Sequence, residues 1–184
     1  MKTSSSLPLF GALAVFTLTQ TAFLNAQTPA ASPAPAAPAA TAAAADAAAP
    51  KLDFGDFSSA AIVGKAWKAS TDKDYASVLG YTGKCIEMFQ KQAVDQQKSL
   101  TEPVPASDKE KVFSMWALND VGTAYYLRGQ AYEKLGKTKE ALEAYKFLAD
   151  NLAFAQCWDA KGWFWKPAGA AAERVKVLEF DSVK

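Results

Sequence analysis

The sequence predicts an all-α domain, and three observations lead to this prediction. From Lys51 onward, apolar residues recur at steps of three and four, which is the spacing of one helix face. The strict alternation that is typical of strands is scarce. Proline, which interrupts helices, occurs after Lys51 only at Pro103, Pro105 and Pro167. The folded domain is therefore placed at 51–184, after two segments of a different kind.

Residues 1–26 have the layout of a secretory signal peptide. Lys2 precedes an apolar run from Leu7 to Leu18, and small and polar residues follow that run. Cleavage after Ala26 is predicted, which would place the mature protein in the periplasm or outside a bacterial cell. An uncleaved membrane anchor is the alternative, although threonine and glutamine make the end of the run half polar.

Residues 27–50 consist almost entirely of alanine and proline. They offer no large apolar side chain for a core, and their prolines favour extended, polyproline-like structure. We expect a disordered linker. It is either a spacer that holds the domain away from a membrane or wall, or a leader without a role.

The first hairpin of the domain is predicted between Lys51 and Ser99. The face of its first helix consists of Phe57, Ala60, Gly64 and Trp67. The face of its second helix consists of Tyr75, Val78, Thr82, Cys85 and Phe89. The segment TEPVPASD ends this hairpin because residues before proline are pushed out of helical conformation. Ser107 or Asp108 is then positioned to cap the next helix.

A second hairpin follows the proline-containing break. Its first helix is predicted from about Lys109 to Leu135. Gly136 is expected to end that helix in a left-handed conformation, and Thr138 is expected to cap the next helix. A loop this short makes the two helices antiparallel neighbours. The aromatic loop FAQCWDAKGWFWKP and a last helix over residues 168–178 bring the number of predicted helices to five.

This second hairpin resembles the tetratricopeptide repeat (TPR) family, whose unit is a helix-turn-helix of about 34 residues. With Gly122 as the first position, seven residues match the family pattern: Tyr125, Gly129, Ala131, Tyr132, Gly136, Ala141 and Tyr145. Four residues depart from the family pattern. Arg128 replaces the usual leucine and Thr138 the usual aromatic residue, while Leu148 replaces a small residue and Ala153 the closing proline. The match covers residues 122–155, and the pair Gly64 and Trp67 indicates a degenerate copy upstream.

The resemblance implies a short right-handed α-solenoid of helical hairpins with a C-terminal capping helix. It also implies binding of a protein or peptide on the concave face. Carried over by position, the residues that line this face are Thr123, Tyr126, Leu127, Gln130 and Glu133. These positions lack the lysine, arginine and asparagine with which some family members clamp a terminal carboxylate, so we do not expect a chaperone-tail binder. The alternative is that Tyr126 and Leu127 pack against the upstream hairpin.

The aromatic loop 157–166 is a second candidate surface. It places Trp158, Trp163 and Trp165 close together between lysines. Exposed tryptophans stack on sugars or hold cations, and hydrophobic loops dock on membranes or cell-wall polymers. A module that engages glycan or lipid in the cell envelope is therefore the alternative function. The competing interpretation is that the loop folds back and seals the end of the helical array, which would make its aromatic rings structural.

Composition excludes several classes of function. The 20 lysines and arginines balance 19 aspartates and glutamates, so no overall field favours nucleic acid. The chain contains no histidine, which removes histidine-dependent catalytic triads, and its two cysteines lack metal-ligand spacing. Export would permit a disulfide between Cys85 and Cys157, although a buried free thiol is the simplest interpretation of Cys85. No cofactor is predicted. We expect a noncatalytic exported adaptor or scaffold with a protein or peptide partner.

Overall fold

The computed structural model describes residues 51–159 and 161–182, and the predicted signal peptide and linker, 1–26 and 27–50, lie outside them. The described chain is mostly helical, which confirms the all-α class. Its elements are α1 (Ser59–Thr71), α2 (Tyr75–Lys98), α3 (Lys109–Ser114), α4 (Trp116–Lys134), α5 (Thr138–Asn151), β1 (Cys157–Asp159), β2 (Trp163–Trp165) and α6 (Pro167–Asp181). None of these helices is long and apolar enough to cross a membrane.

Side-chain caps fix the starts of three helices. The capping residues are Ser58, Asp74 and Asp108. Each side chain accepts a hydrogen bond, at 3.1 or 3.2 Å, from the backbone N–H three residues further on. These bonds satisfy amides of the first turn that have no partner within the helix. Asp108 is therefore the cap of α3. Phe57, which was expected on the face of the first helix, precedes α1 and is half-exposed.

The single long helix expected over residues 109–135 is wrong. The backbone breaks at Met115, where ψ is 36°, and this divides the segment into α3 and α4. Past the break, the Asn119 side-chain amide donates to the Val112 carbonyl at 2.8 Å. The same carbonyl also accepts the Met115 backbone N–H at 3.1 Å, so two donors meet it at the end of α3. The break turns α4 away from α3 and leaves α4 free to run through the centre of the domain.

The turn between α4 and α5 contains the glycine that the sequence predicts. Gly136 has a φ of 70°, the left-handed conformation that side chains disfavour. The predicted cap at Thr138 is wrong, because Thr138 is the first residue of α5 and Lys137 precedes it without a side-chain cap. The turn is therefore one residue shorter than expected.

The aromatic loop contains a β-hairpin that the sequence analysis missed. β1 and β2 are antiparallel, with Cys157 opposite Trp165 and Trp158 opposite Phe164. Gly162, at a φ of 93°, makes the turn. Because successive side chains of a strand point to opposite faces, Trp158 and Phe164 share one face of the hairpin while Trp165 lies on the other.

Helix α4 is central and packs against α1, α2, α5 and α6. The Tyr145 ring of α5 is fully buried and lies against Gly129, where an added Cβ would stand 2.4 Å from Tyr145 Cε1. The Tyr145 hydroxyl donates to Glu133 at 2.6 Å, and the guanidinium of Arg174 on α6 pairs with the same carboxylate. One carboxylate of α4 thereby joins three helices. The largest buried apolar side chains around α4 are Ile62, Leu118, Leu127, Leu148 and Leu152.

Candidate binding groove

Three depressions follow one another along α4. The polar depression, of about 440 Å³, is lined among others by Lys73, Gln130, Glu133, Lys134 and Arg174. The central depression, of about 370 Å³, is lined among others by Trp67, Tyr126, Gln130, Asp159, Trp163 and Trp165. The Asp120 pocket, of about 320 Å³, is lined among others by Trp67, Phe113, Trp116, Asp120, Trp158 and Phe164. The polar and central depressions share Gln130, and the central depression and the Asp120 pocket share Trp67; the three together are called the groove.

In the polar depression, Glu133 is held by two partners. Arg174 Nε donates to Glu133 Oε1 at 3.0 Å and the Tyr145 hydroxyl to the same oxygen at 2.6 Å. Burial alone would raise the pKa of Glu133, but the hydrogen bonds from Arg174 and Tyr145 outweigh it and lower that pKa. The pKa of Tyr145 is raised by burial and by its bond to Glu133. Glu133 is thus an ionised structural anchor at this end of the groove.

The central depression is walled by tryptophans. Trp163 is 52% exposed and Trp67 is 40% exposed. The Trp165 ring meets Tyr126 edge to face, with centroids 5.1 Å apart. Gln130 Nε2 donates to the Tyr126 hydroxyl at 3.1 Å, which fixes the orientation of both side chains. The result is a rigid aromatic floor with a fixed amide beside it.

The Asp120 pocket has aromatic walls on the other face of the hairpin. Trp158 and Phe164 meet edge to face at 4.8 Å between centroids, and the ring of Phe113 lies 5.5 Å from Phe164. On the α1 and α4 sides, Trp67 and Trp116 complete the wall. Five rings therefore surround a space large enough for a small ligand group.

Asp120 supplies the charge of this pocket. Its carboxylate is partly buried and accepts a hydrogen bond from the hydroxyl of Ser59, at the start of α1. Burial raises the pKa of Asp120, and the Ser59 bond opposes that rise. Among residues 51–159 and 161–182, no lysine or arginine forms an ion pair with it. The carboxylate therefore faces the pocket without a cation.

The structure places the predicted concave-face residues unequally. Tyr126, Gln130 and Glu133 line the groove. Thr123 lines the Asp120 pocket, but it is buried and hydrogen-bonded to the thiol of Cys157. Leu127 is 1% exposed and packs in the core cluster with residues of α1 and α2, away from any ligand.

The aromatic-loop residues belong to the same groove. Trp163 and Trp165 line the central depression, and Trp158 lines the Asp120 pocket. The two surfaces that the sequence presented as alternatives are therefore adjacent parts of one site. Part of the hairpin also seals the domain, since Trp165 packs on Tyr126 and Cys157 is buried.

Sequence reasoning missed most of the lining of the Asp120 pocket, including Trp67, Phe113, Trp116 and Asp120 itself. Trp67 was assigned to an apolar helix face, where a tryptophan is ordinarily buried. Asp120 follows Asn119 in a helix, the pattern of an ordinary solvated face. The spacing of Trp116 and Asp120 was a usable signal. Residues four apart lie on the same helix face, so the ring and the carboxylate are neighbours on α4. Nothing in the sequence said that α1 and the hairpin would enclose that face.

Cys85 and Cys157 are both free and buried. Burial is the main cause that raises the pKa of each thiol to about 12. Thiolate is the reactive form of cysteine, so both side chains are chemically inert in the folded protein. We expect neither thiol to react with Ellman's reagent at pH 8 in the native state, and both to react, without reductant, once urea unfolds the chain.

A surface cysteine provides the control for this labelling. Met88 is 41% exposed on α2, and a Met88→Cys variant should react at once in the native state. Fewer than two reactive thiols in the unfolded wild-type chain would contradict the prediction, because it would indicate a disulfide between Cys85 and Cys157.

Comparison with known proteins gives no family model that matches this chain, no similar curated protein and no similar solved structure. The likeness to TPR proteins accordingly rests on the residues of the α4–α5 hairpin alone.

Proposed function

We propose that this protein is a noncatalytic adaptor that holds an extended segment of a partner protein in the groove along α4. The observation behind this proposal is that one helix contributes residues to all three depressions, from Asp120 through Tyr126 and Gln130 to Glu133. A continuous row of depressions suits a chain better than a single compact molecule. Fixed aromatic rings and amides give such a chain apolar contacts and hydrogen bonds.

The same arrangement supports a TPR-like, short right-handed solenoid. Helices α1 and α2 form one hairpin, α4 and α5 form the next, and α6 packs on α5 as a cap would. The contact between Gly129 and Tyr145 is the close helix crossing that the family pattern requires. In such a solenoid the first helix of each hairpin lines the concave side. Here α1 and α4 both contribute residues to the groove.

The proposed location is the bacterial envelope or its exterior. The signal-peptide pattern of residues 1–26 supports export, and the Ala/Pro-rich segment 27–50 supports a spacer between the domain and its point of attachment or release. A flexible spacer would let the groove reach a partner at a distance from the membrane.

A binding role without catalysis agrees with the state of the reactive groups. Glu133 is committed to Arg174 and Tyr145, and both thiols are buried and protonated. Catalytic nucleophiles require activation by a neighbouring base. The Ser59 hydroxyl is paired with the Asp120 carboxylate, but it is buried and lines none of the three depressions. The strongest features of the site are instead its shape and its aromatic walls.

The proposal is tested by photo-crosslinking from inside the groove. A photoreactive phenylalanine analogue at Ala170, which lines the central depression, should capture one polypeptide in the envelope of the host, and excess partner segment should compete. Trp163→Ala removes an exposed ring at little cost to the fold and should abolish capture. Met88→Ala, on an exposed part of α2 outside the groove, should leave capture unchanged.

Capture that survives Trp163→Ala, or that is equally strong from a photoreactive group at Met88, would overturn the groove as the protein-binding site. Capture should also persist when cell-wall polymer is removed enzymatically. Loss of the crosslink on that treatment would favour the second candidate below.

A second candidate is binding of envelope glycan in the central depression. The observation that favours it is the exposure of Trp163 and Trp67 beside Asp159 and Gln130. Flat indole rings stack on sugar faces, and carboxylate and amide groups hydrogen-bond sugar hydroxyls. In that case, soluble wall fragments would shift the tryptophan fluorescence of the purified protein, and Trp163→Ala would remove the shift.

A further inference from the structure

The Asp120 pocket contains a carboxylate acceptor that the fold does not use fully. The neighbouring polar groups already have partners. Asn119 Nδ2 donates to the Val112 carbonyl at 2.8 Å, and Asn119 Oδ1 accepts from the backbone N–H of Gln156 at 2.9 Å. Gln156 Nε2 in turn donates to a backbone carbonyl at 2.7 Å. Within the described part of the chain, Asp120 receives only the Ser59 hydroxyl. It therefore has acceptor capacity left for a ligand.

The charge of the pocket lining indicates which class of ligand the pocket would bind. Asp120 is the only charged side chain among the described residues that line the pocket. A partly buried carboxylate that lacks a cation gains more from an incoming positive group than an exposed one does, because the surroundings screen less. The pocket is therefore complementary to a cation.

The aromatic walls select for the same charge. The face of an aromatic ring attracts a cation, and tryptophan does so most strongly. Trp158 already shows this property at the rim, where Lys109 Nζ lies 5.0 Å from its ring centroid. Lys109 does not line the pocket, and Trp67 and Trp116, which do, are 40% and 39% exposed.

We propose that the Asp120 pocket binds the cationic end of a lysine or arginine side chain of the partner segment. This inference rests on the proposed function and specifies its partner. An N–H-bearing cation is favoured over a quaternary ammonium because Asp120 offers a hydrogen-bond acceptor as well as a charge. The aliphatic stem of such a side chain lies against the rings, and Ser59 holds the carboxylate in place. The partner segment therefore carries a basic residue at the position that faces the start of α4.

Side-chain mimics test the pocket independently of any partner. The purified full-length protein is titrated with n-butylguanidinium and with n-butylurea, its neutral isostere, while the five indole N–H resonances are followed by NMR. We expect saturable shifts with n-butylguanidinium, at a dissociation constant in roughly the millimolar range for so small a ligand. The shifts should be confined to Trp67, Trp116 and Trp158. Equal binding of n-butylurea, or shifts only at Trp163 and Trp165, would overturn the proposal.

Two matched carboxylate variants complete the test. Asp120→Asn keeps an oxygen acceptor for Ser59 but removes the charge, and it should weaken n-butylguanidinium binding by about tenfold or more. Asp150→Asn, at an exposed position of α5 that lines none of the three depressions, should leave binding unchanged. Unchanged binding in Asp120→Asn would overturn the proposal. If n-butylguanidinium binds as expected but the Ala170 crosslink captures no protein, the pocket assignment is supported and the adaptor function is wrong.

Discussion

Replacement of Gly129 by alanine is expected to lower the free energy of unfolding by up to about 2 kcal/mol, because overpacking a core costs about 1–3 kcal/mol. The new Cβ would stand 2.4 Å from Tyr145 Cε1, and the ring cannot swing away because it is fully buried and its hydroxyl is bonded to Glu133. This effect opposes the gain of about 1 kcal/mol that alanine normally gives in a helix. Urea unfolding followed by circular dichroism measures the difference.

Gly64 provides the matched control within the same fold. It is an exposed helical glycine in α1, and a Cβ there meets nothing within 4 Å. Gly64→Ala should therefore raise the free energy of unfolding by about 0.5–1 kcal/mol. If Gly129→Ala were also stabilising, the close crossing of α4 and α5 would be wrong, and with it the strongest physical support for the TPR resemblance.

The local parts of the fold were predictable because short-range chemistry decides them. Gly136 ends α4, Asp108 begins α3, and the small Gly129 faces an aromatic ring, as the spacing of residue types indicates. The break at Met115 was not predictable, since no proline or glycine marks it. The break is accompanied by the hydrogen bond from the Asn119 side chain to the Val112 carbonyl, a contact between residues seven apart in the chain. The β-hairpin was missed because strands of three residues give too short a pattern.

The candidate site was predictable only in pieces. Helical spacing places Tyr126, Gln130 and Glu133 along one face, and the structure has all three in the groove. Leu127 was included by its position in the repeat, but it lies about 100° around the helix from Tyr126 and points into the core. Spacing along one helix cannot say which other elements cover it. That the hairpin and α1 both pack around Asp120 is a property of the tertiary structure, which helical spacing does not reveal.

Replacement of Asp120 by asparagine is expected to stabilise the protein at neutral pH while it removes cation binding. Burial raises the pKa of Asp120 above its ordinary value of 3.8, so the folded state holds a proton at pH values where the unfolded chain has lost it. The free energy of unfolding therefore falls as pH rises from about 4 through the raised pKa. The variant lacks this loss, and its stability should exceed that of wild type at pH 7 by on the order of 0.5–2 kcal/mol, the range of substitutions that relieve a functional compromise.

The pH profile separates this explanation from a general effect of the substitution. At pH 3 both side chains are neutral, so the two unfolding curves should nearly coincide, and the gap should open as pH rises to 7. The nearby titratable groups do not disturb the comparison, because the pKa of Cys85 and of Cys157 is raised to about 12 and both stay protonated. If Asp120→Asn were less stable than wild type at pH 7, the carboxylate would stabilise the fold through its bond to Ser59. The presence of a carboxylate at this position would then be explained by stability, without a ligand.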